Sequence, residues 1–133
     1  MGYLSDARHA TVTAMGAYQY SMKCHTNNLA HAGLKRTKDH NYTRQIPILT
    51  TNFDSNNKLH ISKKVRLDKN RPFTYEYKPG DPDADEKGFV EVQNINPLLE
   101  MTDIVNMKHS NINCLKIYEL IIDSERRTNN LLA

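Results

Sequence analysis

Tyr77-Lys-Pro-Gly-Asp-Pro-Asp-Ala-Asp-Glu-Lys-Gly-Phe-Val90 continues into Asn94-Ile-Asn-Pro97 and Leu98-Leu-Glu-Met101, and along this stretch the local chemistry changes three times. Pro79-Gly80 marks a turn. Asp81 to Glu86 is acidic and too polar to be buried, and Phe89-Val90-Glu91-Val92 reads as a short strand. Asn96 followed by Pro97 then opens a helix: asparagine is a favoured N-cap, and proline fits the first helical position, where its missing N–H costs nothing. Glu100 and Asp103 fall near the positive end of the helix dipole and Arg126-Arg127 near the negative end, so the charges agree with the helix direction. Downstream, Leu98, Met101, Val105, Ile112, Leu115 and Ile122 recur at helical spacing, and Ile104, Met107, Cys114, Tyr118 and Ile121 form an adjacent stripe. Leu131-Leu132 carry the apolar character on, so this helix needs cover on a broad face.

The amino-terminal end carries a second helix, expected over residues 7–29. Ser5 or Asp6 can cap its start, and Gly33 can take the left-handed conformation that ends it. Ala7, Ala10, Ala14, Ala17, Ser21 and Cys24 alternate at spacings of three and four, a stripe of small side chains that lets another backbone approach closely. Met15, Tyr18, Met22 and Leu29 make a larger apolar stripe beside it with coiled-coil-like spacing.

Between the helices the apolar content drops. Lys35 to Asn41 is polar and reads as a loop, and Tyr42 to Thr51 reads as a strand that Pro47 places at an edge. Asn52 to Lys58 is a turn, His60 to Leu67 a second strand, and Phe73, Tyr75 and Tyr77 alternate as strand residues do. The expected fold class is therefore mainly α with a small β or extended insertion. It divides into an amino-terminal helical segment 1–33, a hairpin-like insertion 34–95 and a carboxyl-terminal helical segment 96–133, together one domain. An antiparallel, coiled-coil-like pair of long terminal helices is the simplest way to bury both apolar faces. One such pair cannot cover two wide stripes, so the rest is expected to meet neighbouring copies or other proteins.

Charge is uneven along the chain: residues 35–71 hold ten basic and three acidic side chains, residues 72–133 six and eleven. Complementary patches of this kind set how neighbours orient. The first twenty residues lack the pattern of a cleavable signal, and no run is long and apolar enough for a membrane span, so cytoplasm is the default expectation unless export uses no cleaved signal. Cys24 and Cys114 are too few and too isolated for a zinc motif or a disulfide framework.

Catalysis has no candidate residues, and no cofactor, metal or small-molecule substrate is expected. Asp81, Asp83 and Asp85 match the first, third and fifth positions of a calcium loop, but Glu86 stands where glycine is needed and Val92 where a bidentate carboxylate is needed. A solvated turn is the better reading. The six histidines, His9, His25, His31, His40, His60 and His109, match no zinc or metalloprotease spacing and read as surface or packing residues. Lys63, Lys64, Arg66, Lys69 and Arg71 next to Phe73, Tyr75 and Tyr77 resemble a nucleic-acid surface, yet the acidic second half argues against one, and no nucleic-acid partner is expected.

Three segments carry a family resemblance. Thr26-Asn-Asn-Leu-Ala-His-Ala32 is similar to the Ser-x-Asn-Ile-Ala-Asn-Ala pattern that ends the first helix of flagellar rod, hook and filament proteins. Tyr77 to Val90, with Asn94-Ile-Asn96 leading to Glu100-Met101, resembles the proximal members of the flagellar basal-body rod family, as does Tyr42-Thr-Arg-Gln45. His31 replaces the second asparagine of the first pattern, and His109, Asn111 and Cys114 stand where the family has Arg, Tyr and Asn. The resemblance implies a structural subunit of the bacterial flagellar proximal rod, exported by the flagellar type III apparatus without a cleaved signal and folding as it assembles. It implies as partners other copies, neighbouring rod proteins, membrane-ring and rod-adaptor proteins and the export apparatus, and a place in the periplasm-spanning basal body. The subunit-packing residues expected on this basis are Ala7, Ala10, Ala14, Met15, Ala17, Tyr18, Ser21, Met22, Asn28, Leu29 and Ala30, with Leu98, Met101, Ile104, Val105, Ile112, Leu115, Tyr118 and Ile122. In an oxidising periplasm, antiparallel pairing is expected to bring Cys24 and Cys114 within reach. The competing expectation is a small cytoplasmic helical-hairpin adaptor or binding module that uses the same two helices.

Overall fold

The computed structural model describes residues 2–70 and 73–132. Helices α1 (Gly2–His31) and α2 (Pro97–Leu132) make up about half of the chain, and between them lie strands β1 (Gln45–Phe53), β2 (Leu59–Leu67), β3 (Phe73–Tyr77) and β4 (Phe89–Gln93). Mainly α with some β is therefore the observed class.

The cap geometry at the start of α2 follows from its sequence. Asn96 Oδ1 accepts the Leu98 and Leu99 amides at 3.0 and 3.4 Å, which satisfies two of the donors a helix start leaves unpaired. α1 ends as expected, with Gly33 at φ +73°. Its start differs. The helix already includes Gly2, so Ser5 and Asp6 lie within it rather than capping it. The long α2 gives α1 a surface to continue along, as the Arg8–Glu125 ion pair at 3.2 Å shows. With His25 meeting Glu100 at the other end, that pair fixes the two helices as antiparallel.

β1 and β2 form one antiparallel hairpin, Gln45 opposite Leu67 through Phe53 opposite Leu59. Pro47 is tolerated because β1 has β2 as its one sheet neighbour, leaving the other edge free of ladder bonds. The turn is closed by Asp54, whose carboxylate accepts the Asn56 and Lys58 amides at 2.8 and 2.9 Å. This hairpin packs on α1, with Lys63 Nζ 5.5 Å from the centre of the Tyr20 ring.

β3 and β4 form a second hairpin, and β4 also pairs on its other side with the chain leaving α1. The Arg36 amide donates to Glu91 at 2.8 Å and the Gln93 amide to Leu34 at 2.9 Å. In the connecting loop Gly88 has φ +85°, and a Cβ there would lie 2.9 Å from Tyr77 Cε2 and 3.2 Å from Pro79 Cα. Both backbone and space demand glycine.

The interior is small and unusually polar. Among the described residues Ala17, Cys24, Val90, Val92, Ile95 and Ile121 are its buried apolar residues, matched in number by buried Thr11, Ser21, His25, Asn28, Gln93 and Glu100. With so little apolar burial, specific hydrogen bonding has to hold the elements in place. Among the described residues no helix is long and apolar enough to cross a membrane.

The cysteine expectation is corrected by the helix register. Both thiols are free. His25 faces Glu100 and Arg8 faces Glu125, so residue 114 lies across from about residue 15, roughly 13 Å along the axis from Cys24. That is beyond the Cα separation of about 7 Å at which a disulfide can close.

Candidate functional site: a buried polar clamp and an uncovered helical face

Asn28 sits where α1 nears its end, and its side chain is completely buried. Its Oδ1 accepts the Gln45 amide at 2.8 Å and the Tyr42 hydroxyl at 2.7 Å. Its Nδ2 donates to the Gln45 carbonyl at 2.8 Å and to Glu100 Oε2 at 3.1 Å. All four bonding positions of the amide are filled. By engaging both backbone groups of Gln45, Asn28 imitates a neighbouring strand and pins the entry of β1 to α1. This explains why β1 begins at Gln45 rather than at the expected Tyr42.

Glu100, in the first turn of α2, is the second centre. It is 1% exposed, and an ionised carboxylate so deep must be paired. Arg44 Nε donates to Oε1 at 2.6 Å, and His25 Nδ1 lies 2.7 Å from Oε2. Against an ionised carboxylate, Nδ1 is the nitrogen that carries the proton. Burial pushes the Glu100 carboxyl up, but the hydrogen bonds from Arg44, His25 and Asn28 outweigh it and hold the group below the usual carboxylate range. Arg44 also lies 3.4 Å from Asp68 at the end of β2. Next to this cluster the Tyr42 hydroxyl is pushed up to about 12, by burial first and then by its neighbours Cys24 and Glu100. It is therefore a hydrogen-bond donor at any physiological pH.

The three segments that carry the family resemblance thus converge. Asn28 comes from the first, Tyr42, Arg44 and Gln45 from the second, and Glu100 from the third. Sequence reasoning placed Glu100 as a dipole partner within one of the resembling segments and His25 as a surface or packing residue, and it did not join the segments. The available signal was a glutamate at the fourth helical position opposite a histidine and an asparagine in the last turns of the other helix.

The expected packing residues separate into two groups. Ala17, Ser21 and Asn28 are buried by the chain's own elements, so those side chains are spent inside the subunit. Ala10, Ala14, Met15, Tyr18, Met22, Leu29, Ile104, Tyr118 and Ile122 are half-buried, and Ala7 and Ala30 exposed. On α2 the two stripes have different fates. Ile104, Met107, Cys114, Tyr118 and Ile121 are the less exposed set, whereas Leu98 is 71% exposed, Met101 52%, Val105 50%, Leu115 46% and Ile112 38%. Leu99, Ile117 and Leu120 are also exposed. Scattered exposed leucines are ordinary, but a continuous stripe of this length marks an interaction surface.

The acidic loop uses its carboxylates locally. Asp81 accepts the Asp83 amide and Asp85 the Lys87 and Phe89 amides, each at 2.9 Å, while Lys35 bridges Asp81 and Asp83 at 2.9 and 2.6 Å. These are turn-closing contacts, in line with the solvated-turn reading. His31 stacks on Tyr42 with ring centroids 3.8 Å apart and donates from Nδ1 to the Asn27 carbonyl at 2.7 Å. Asn111 has a buried Oδ1 with no hydrogen-bond partner among the described residues.

Three flagellar basal-body rod proteins named FlgC are similar to this chain. The Aquifex aeolicus protein is 28% identical over 120 residues, 88% of this chain and 90% of its own length. This chain is similar to the FlgC rod proteins. The Agrobacterium fabrum FlgC is 37% identical over 71 residues, 53% of this chain but 45% of its own length. The FlgC of Bacillus subtilis is 28% identical over 122 residues, covering 77% of this chain and 80% of its own. No protein-family profile matches.

Proposed function

We propose that this chain is a structural subunit of the bacterial flagellar proximal rod, resident in the basal body, with α1 and α2 as its assembly elements. The similarity to FlgC proteins over most of the chain is the observation that carries the reading. The uncovered stripe Leu98, Met101, Val105, Ile112 and Leu115 supports it physically, because neighbouring subunits would supply the burial that the small interior lacks. The role is load-bearing in the mechanical sense and not catalytic. Helices packed around a central channel resist torsion through many small contacts, and the channel serves export.

On this reading the chain leaves the cytoplasm through the flagellar type III apparatus without a cleaved signal and completes its folding on assembly. Its neighbours are other copies, further rod proteins, and the ring and adaptor proteins of the basal body. The clamp around Asn28 and Glu100 closes within one chain. That observation favours the second reading, an autonomous helical adaptor, to the extent that the helix pair is stable alone.

Quantitative mass spectrometry of purified basal bodies decides between them. A rod subunit is present in fixed ratio to the ring and hook proteins. An adaptor is recovered from the soluble cytoplasm and is absent from the particle. Circular dichroism of the isolated chain gives an independent check: a rod subunit gains helix on assembly, whereas an adaptor is fully helical alone and melts cooperatively.

A further inference from the structure

His25, Glu100 and Asp103 form a cluster that the clamp alone does not explain. Glu100 and Asp103 are three apart on α2 and so share a face, and that face meets His25 of α1. Nδ1 of His25 lies 2.7 Å from Glu100 Oε2 and 3.8 Å from Asp103 Oδ2, and all three ligand atoms fall within 4.8 Å of one another. His25 has one Nδ1 proton to give, and Glu100 takes it. Asp103 is left beside a second carboxylate with no hydrogen bond among the described residues.

We infer that His25 Nδ1, Glu100 Oε2 and Asp103 Oδ2 form a binding site for a divalent cation of the zinc class. One imidazole and two carboxylates are a donor set suited to zinc, which takes nitrogen and oxygen at about 2.0–2.2 Å and accepts water as a fourth ligand. Tetrahedral coordination at that bond length separates ligand atoms by roughly 3.4 Å, so each of the two measured separations changes by less than about 1 Å. Magnesium and calcium fit poorly, because they require six or more oxygens. The lone pairs also balance. Oε2 of Glu100 accepts from His25 and Asn28, and the cation takes the place of the His25 proton while Asn28 stays bound. His25 then carries its proton on Nε2, or releases one if it was cationic.

The outer contacts of such a site are already in place. Arg44 holds Glu100 from the Oε1 side and Asn28 from the Oε2 side, as ligand carboxylates in metal sites are held. Asp103 is half-exposed and provides the solvent entry path. A cation bound there would link α1 to α2 at the loop end of the helix pair.

The test is a cobalt(II) titration of the full-length chain near neutral pH, read by visible absorption, with helicity recorded in parallel. The expected result is uptake of one cobalt with the visible bands of four- or five-coordinate nitrogen and oxygen ligation. His25→Gln and Asp103→Asn each weaken uptake by tenfold or more, a loss at least equal to that for outer-shell partners, while His109→Gln leaves it unchanged. Asp103 is exposed enough for its variant to keep the fold. No uptake at about millimolar cobalt overturns the inference whether or not the chain is helical alone, since metal binding at a folded site also drives folding. Equal uptake by the His25 and Asp103 variants, or a near-ultraviolet thiolate-to-cobalt band, places the cation elsewhere and overturns it as well. None of these outcomes bears on the rod reading, which the composition of basal bodies decides.

Discussion

At the scale of single residues, Asn28 and Glu100 do work that their small number belies. Each is buried, polar and fully partnered, so removing either strands several donors or acceptors away from water. Glu100→Leu leaves the Arg44 and His25 groups facing an apolar side chain, with an expected loss of about 3–5 kcal/mol, measured by urea titration in an osmolyte that favours the compact state. An unchanged urea midpoint would show that the carboxylate is dispensable. The pH dependence has a definite sign. The folded pKa of Glu100 is lowered, so its contribution is complete above the ordinary glutamate value and disappears as pH falls through the lower folded value. Glu100→Gln therefore flattens the acid limb of the stability curve below about pH 4.3. Asn28→Ala, which frees the backbone of Gln45, is expected to lose about 1–3 kcal/mol and the hydrogen-exchange protection of the Gln45 amide. A retained protection factor would mean that something else holds β1 in place.

At the scale of elements, the structure was legible in proportion to how local its causes are. The start of α2 was readable from Asn96-Pro97, since an N-cap acts over three residues. The end of α1 was readable from Gly33 and the turns from Asp54 and Pro79-Gly80, for the same reason. The start of α1 was not. It depends on the neighbouring length of α2, which no cap residue encodes. The assignment of the two apolar stripes of α2 was likewise undetermined, because helical periodicity defines faces but not which face meets α1. A prediction belongs to the β3–β4 loop: Gly88→Ala is expected to destabilise the hairpin by more than about 1 kcal/mol, seen as lost protection of the Lys78 amide, which donates to the Gly88 carbonyl at 2.8 Å. The small stripe on α1 makes another. Ala17 is 1% exposed, so Ala17→Leu overpacks the subunit itself at a cost of about 1–3 kcal/mol.

At the scale of the whole molecule, the question is where the missing burial comes from. Substitution on the uncovered stripe of α2 separates assembly from folding. Leu115→Lys is expected to leave the stability of the single chain within about 0.5 kcal/mol, as surface changes do, while abolishing incorporation into basal bodies. Normal incorporation of this variant would remove the stripe from the proposed interface. Ala14→Leu, on a half-buried position, is expected to hinder assembly by pushing neighbouring helices apart. The free thiols make a further whole-molecule prediction: nonreducing mass spectrometry should find both Cys24 and Cys114 unbridged, in keeping with their offset along the helix pair. A recovered bridge would require a different register of α1 on α2.

The sequence by itself determined the helix–insertion–helix order, the edge character of β1, the capped start of α2 and the three segments that resemble rod proteins. Each of these rests on interactions spanning a few residues or on the periodicity of one element. The tertiary structure alone decided that those segments meet, that Asn28 and Glu100 are the centres of their meeting, and that Cys24 and Cys114 stay apart. It also decided which stripe of α2 is left uncovered. The physical reason is that the buried Glu100 carboxylate needs partners from two other parts of the chain, α1 and the segment entering β1, and only the register of α1 against α2 brings those partners together.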